Sequence, residues 1–219
     1  MYTNLIRILS FFLALNSFQV LFSQAPTDYF DANNPNIKYL EHLIKKGVDE
    51  VREDLNLSKL ANDSILYIAA NDHADFLEQF GRLSHFQVQT RSKRTPQLRA
   101  EFFGAVNYNV GENIAMTSYG SSVKMKSGRE ISTKTYQGIA ESLVVGWVNS
   151  PGHYKNIITT EYEITGLSIS IDKNKGEIYA CQKFAHVDMR FIFEENTTLF
   201  PYSNYTPPKQ VSSFEEVSN

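Results

Sequence analysis

The sequence predicts an α+β fold, on two observations. Three long stretches carry apolar residues at three-and-four spacing, the mark of helices with one buried face. Two later segments alternate apolar and polar residues across a short polar turn, the mark of an antiparallel hairpin. The first helix follows Asn33-Asn34-Pro35-Asn36 and runs from Ile37 to about Glu53, with Leu40, Leu43, Ile44 and Val48 on one side. The second is expected over Lys59 to Phe80, carried by Leu60, Leu66, Ala69, Ala70, Ala74 and Leu77, and stopped by Gly81. Ser84-His85 lies just past that stop.

A polar stretch follows, basic at Arg91, Lys93 and Arg94, and reads as a solvated loop that resumes as a short helix around Pro96 to Phe103. Ile114-Ala115-Met116 reads as a short strand and Ser118 to Lys134 as loop. The third long helix spans Thr135 to Asn149, and Ser150-Pro151 starts another, with Ser as cap and Pro at its first position. The hairpin pairs Ile164 to Ile171 with Ile178 to Phe184 across Asp172-Lys173-Asn174-Lys175-Gly176. No internal repeat is present.

The two ends read differently from this centre. Arg7, the apolar run Ile8 to Leu15, and the small residues Ser23 and Ala25 form the pattern of a cleaved secretory signal over residues 1–25. The run is too short to anchor the chain in a bilayer once cleaved. A polar lead-in covers 26–36, one domain covers 37–193, and residues 194–219, rich in Asn, Thr, Pro, Ser and Glu, form a polar tail expected to be flexible. Secretion or a periplasmic location follows from the signal. With Cys181 as the single cysteine, no intrachain disulfide can form, so the domain must be held by its core. A net charge of −3 gives no ground for nucleic acid as a partner.

Three segments offer chemistry: Ser84-His85, then Gly111-Glu112-Asn113-Ile114-Ala115, then Trp147 leading into Ser150-Pro151-Gly152-His153. Each has an ordinary explanation when taken singly. A loop histidine is commonly solvated, a carboxylate beside an apolar run can bond backbone amides, and a histidine in a first helical turn can cap or pack. Burying an unpaired carboxylate costs several kcal/mol, so Glu112 needs donors, a cation or an open cleft. The positive end of a helix disfavours imidazolium, so His153 is expected neutral. His42 and His73 read as helix-surface residues, His186 as a strand-end residue, and Trp147 as core.

Taken together, the three segments and their order resemble the CAP superfamily, the cysteine-rich secretory protein, antigen 5 and pathogenesis-related 1 group, also called the SCP domain. The resemblance spans about Ile37 to Ala185 and is closest to the bacterial branch without disulfides. It implies an α–β–α sandwich, a small antiparallel sheet between helical layers, with a cleft lined in many members by two histidines and two acids. The histidines carry over to His85 and His153 and one acid to Glu112. The second acid, expected three residues after the tryptophan, falls on Ser150, and the insertion that normally follows is missing. Glu141 is no substitute for it.

The cleft implied by the resemblance is therefore His85, Glu112 and His153, with Ser150 at its margin. It fits an extracytoplasmic binding or interaction module for a small molecule, a lipid or an extracellular protein. The same three side chains leave room for a divalent metal such as zinc, and so for the alternative of a metal-assisted peptidase or esterase. A third reading makes the trio a purely structural network. No residue is assigned a catalytic role: the chain has no Gly-x-Ser-x-Gly elbow and no His-Glu-x-x-His helix.

Overall fold

Asn36 begins the first helix by accepting the Tyr39 amide on its side chain, and α1 runs Ile37–Asp54. The structure, a computed structural model, describes residue 25 and residues 27–188. The tail at 194–219 and all of the signal segment but Ala25 lie outside these. No helix among the described residues is long and apolar enough to cross a membrane. The last turn of α1 carries Arg52, whose buried guanidinium donates to the carbonyls of Ser58, Ile157, Thr159 and Tyr162. That side chain ties the helix end to the start of the sheet without a carboxylate.

The second helix starts later than its apolar pattern suggests. Ala61–Asn62 form a two-residue strand, β1, and Asp63 then caps α2, Ser64–Phe80, by accepting the Leu66 amide at 2.7 Å. A side-chain acceptor at Asp63 fixes the first turn there, while the residues before it pair with the sheet. Gly81, at φ 69°, closes the helix in the left-handed conformation that glycine adopts without strain. A 3-10 turn at Arg91–Lys93 and α3, Pro96–Phe102, follow.

β2 runs Tyr108–Ser118, far longer than the three residues that stand out as a strand in the sequence. Its buried positions include the polar residues Glu112, Asn113 and Thr117, which hide the alternation. The stretch expected as loop after it contains a small hairpin, β3 Ser122–Lys124 with β4 Glu130–Ser132. Thr135 caps α4, Tyr136–Val148, and α5 spans Pro151–Ile158. β5, Ile164–Asp172, and β6, Glu177–Val187, form the expected hairpin.

The sheet order is β1-β5-β6-β2, antiparallel except where β1 runs parallel to β5, so the sheet is mixed rather than purely antiparallel. Side chains of β6 alternate between two helical layers. Ile178, Ala180 and Phe184 join α1, α4 and α5 in the larger core with Leu40, Ile44, Leu143 and Trp147. Tyr179, Cys181 and Ala185 face α2 and α3. The α–β–α sandwich is thus built by the two-residue period of one central strand.

Gly166 lets α2 lie directly on β5. A Cβ there would stand 2.0 Å from the Tyr67 nitrogen and 2.1 Å from the Leu66 carbonyl carbon, both backbone atoms. No rotamer relieves that overlap, so the helix itself would have to lift. Gly166→Ala is expected to cost about 3 kcal/mol or more, read as a lowered urea midpoint, whereas Gly152→Ala meets nothing within 4 Å and serves as the control.

Candidate functional site

Glu112 projects from β2 towards the α2–α3 layer and is buried. Its cross-strand partner on β6 is Lys183, fully buried, whose ammonium donates to Glu112 Oε2 at 2.6 Å. Arg99, fully buried on α3, donates to the same oxygen at 2.6 Å. The other oxygen, Oε1, lies 2.8 Å from His85 Nδ1 and 3.5 Å from His73 Nε2. The Cys181 thiol, also buried, points at Oε2 from 3.6 Å. Burial by itself would raise the Glu112 carboxyl's pKa. Lys183, the His85 hydrogen bond, His73 and Arg99 outweigh it and hold that pKa well below the usual carboxylate range. Burial pushes the Cys181 thiol up, so it stays protonated.

An ionised Glu112 can only accept, so His85 Nδ1 carries a proton and donates to it. In the neutral ring, His85 Nε2 keeps its lone pair free. The histidine is anchored from behind as well: both terminal nitrogens of Arg99 donate to its carbonyl at 3.1 Å, and one also reaches the Lys93 carbonyl at 3.0 Å. One buried guanidinium therefore fixes the loop after α2, while the side chain of His85 is 41% exposed.

His153 comes from the opposite layer, in the first turn of α5. Asn113 donates to its carbonyl at 3.0 Å, and Asn156 donates to the Glu112 carbonyl at 3.1 Å and to Asn113 Oδ1 at 2.9 Å. The Glu112-Asn113 pair thus docks α5 against the edge strand. The two imidazole rings stand 6.0 Å apart, centroid to centroid, tilted by 55°. Burial, and then repulsion from His85, lowers the His153 pKa and keeps its ring neutral.

The three side chains singled out by sequence therefore converge, two histidines from opposite helical layers meeting beside one edge strand. Ser150 is the N-cap residue of α5, but its hydroxyl makes no capping bond. Glu141 pairs with Arg129 and takes no part. His42 is exposed, as expected, and His186 sits near the end of β6, 3.9 Å from Glu163. His73 is the correction: it is not on the surface but fully buried, stacked on Phe76 and facing Glu112. Its position was readable, because His73 lies four residues from both Ala69 and Leu77 in the buried stripe of α2. Lys183 carried a similar signal, a charge on the inward parity of β6 between Cys181 and Ala185. Arg99 carried none.

The trio does not fit a metal as a ready set of three ligands. Among the described residues, no group of three or more His, Cys, Asp or Glu side chains is arranged to hold a metal ion. Both Glu112 oxygens are already engaged, one by two cations and the other by His85. A cation entering there would have to displace Arg99 or Lys183 into an apolar interior, which costs several kcal/mol.

A profile of the cysteine-rich secretory protein family, CAP, matches residues 46–184, more than half of the chain. The chain belongs to the CAP family. No protein of curated function matches it. An outer surface protein of Borrelia burgdorferi has a similar structure, with a TM-score of 0.55 and 19% identity over 74% of this chain and 99% of that one. At that identity the likeness carries the fold. An extracellular SCP-domain protein of Bacillus anthracis matches 68% of this chain at 21% identity and TM-score 0.48. A cysteine-rich secretory protein of Staphylococcus aureus matches 69% at 12% and 0.47. This CAP chain covers 41% and 40% of those two larger chains.

Proposed function

We propose that this CAP domain is an extracytoplasmic binding module whose ligand seats between His85 and His153. One observation carries the reading: two partly open imidazoles from opposite layers stand 6.0 Å apart, above a carboxylate whose own bonds are already made. Glu112 is then a positioning group. It orients His85 by accepting from Nδ1, so that in the neutral ring Nε2 is the acceptor. His153, neutral, offers one donor and one acceptor. A small molecule or lipid head with a hydroxyl or amide group satisfies both rings. The signal pattern at 1–25 and the likeness to an outer surface protein of Borrelia burgdorferi support secretion or a periplasmic location.

The hydrolase alternative gains nothing from the geometry. Glu112, held by Arg99 and Lys183, is not free to act as base. His153→Ala separates binding from stability. Its ring is only half buried, so the thermal midpoint should hold within a few degrees, an effect on the order of 1 kcal/mol or less. Native mass spectrometry after incubation with a bacterial total-lipid extract should find a retained species on the native chain and its loss from the variant. If nothing is retained by either, or the variant retains as much, the cleft is not the binding site.

A further inference from the structure

We infer that the surface formed by residues 82–106 docks on an anionic lipid bilayer. Six of the ten large apolar side chains that the described residues expose fall in this one segment: Leu83, Phe86, Val88, Leu98, Phe102 and Val106. Phe86, Val88, Phe102 and Val106 are each more than half exposed, at 52%, 63%, 52% and 69%. Leu98 and Phe102 are four apart on α3 and share its outward face. Such a concentration on a soluble domain is a contact surface rather than scatter.

The segment also carries the chain's charge asymmetry. It holds Arg82, Arg91, Lys93, Arg94 and Arg99 against the single acid Glu101, in a chain of net charge −3. Arg99 is spent internally on Glu112, and Lys93 pairs with Asp72 at 2.5 Å while lying over the Phe102 and Phe103 rings. Arg82, Arg91 and Arg94 are exposed and form no ion pair among the described residues. The surface is held as a unit: Arg99 bonds the carbonyls of His85 and Lys93, and the Gln87 amide donates to the Arg94 carbonyl at 3.1 Å. The loop and α3 that carry these exposed apolar and basic groups are therefore tied to one another.

That mixture selects the partner. A purely polar polyanion would satisfy the arginines and leave Phe86, Val88 and Phe102 in water. A bilayer interface takes both, with the apolar side chains at the acyl boundary and the guanidinium groups at anionic headgroups. The surface borders the cleft, since Phe86 follows His85, but its argument is independent of what the cleft holds.

Vesicle co-sedimentation of the full chain tests it, with phosphatidylcholine alone and with about one third phosphatidylglycerol. Each comparison keeps the termini constant, so the apolar N-terminal stretch contributes equally to every variant. Binding should be at least ~10-fold tighter to the anionic vesicles and should weaken as salt is raised to about 0.5 M. Arg91→Glu with Arg94→Glu should lower it roughly 30-fold. Phe86→Ser with Val88→Ser, both exposed loop positions that leave the melting temperature unchanged, should lower it roughly tenfold or more at constant salt. Equal binding to both vesicles, or no effect of the charge reversals, overturns the inference. So does binding that ignores the apolar substitutions, which would mark a polyanion site instead.

Discussion

Glu112→Gln is expected to destabilise the protein by about 3–5 kcal/mol, because it strands two buried cations at once. In the native cluster, Arg99 and Lys183 both donate to Glu112 Oε2 at 2.6 Å, and neither side chain is exposed to any extent. Among the described residues, Glu112 is the only acid paired with them. With His73 neutral, the cluster already carries one positive charge in excess. Glutamine offers a weak acceptor in its place and leaves two formal charges without a counterion.

The complementary variant gives the sign of the argument. Lys183→Met removes the excess cation, keeps much of the volume, and leaves Glu112 paired with Arg99 and His85. Its cost should be less than about half that of Glu112→Gln. Urea unfolding of the two variants at pH 7, with unchanged slopes, checks the order. Equal losses would mean the cluster is held by packing and not by charge balance. Glu112→Gln should also release His85 from its fixed orientation, so its loss of ligand retention would accompany the loss of stability, whereas His153→Ala should lose retention alone.

Much of this was legible because it depends on local rules. Asn36, Thr135 and Gly81 punctuate helices by capping geometry, and the β5–β6 hairpin announces itself by alternation around a polar turn. The Glu112-Asn113 step and His153 were visible as a family pattern, and the structure gives that pattern a physical reason: Asn113 and Asn156 bolt α5 to the edge strand. What was not legible depends on registers between distant segments. That Lys183 stands opposite Glu112 follows only from the β2–β6 pairing. That Arg99 reaches Glu112 depends on how a seven-residue helix is laid across the sheet. The site therefore differs from its sequence reading in one respect that matters: the acid is the centre of an internal charge cluster, and of the three side chains only the two imidazoles are partly open.

Acid should weaken the fold well above the range in which carboxylates titrate, and His73 is the cause. Burial first, then Arg99 and Lys183, lower its pKa from the ordinary 6.5 to about 4, with Glu112 opposing. Below pH 6.5 the unfolded chain takes up a proton at this residue that the folded chain refuses. Stability from the neutral ring is therefore complete above pH 6.5 and is lost as pH falls towards 4. The full shift corresponds to about 3 kcal/mol, of which about 2 kcal/mol is gone by pH 5. His153, also lowered, adds to the loss with the same sign. Glu112 stays ionised in the fold throughout this window, and its own loss begins only as the pH enters the ordinary carboxylate range, where the unfolded chain takes up a proton that the folded carboxylate refuses. His73→Leu removes the titrating ring while keeping an apolar side chain against Phe76. Whatever its offset at pH 7.5, its stability should fall between pH 7.5 and 5 by about 2 kcal/mol less than that of the native chain. Parallel curves for the two proteins would mean that the ring accepts its proton inside the fold, with Glu112 as its counterion.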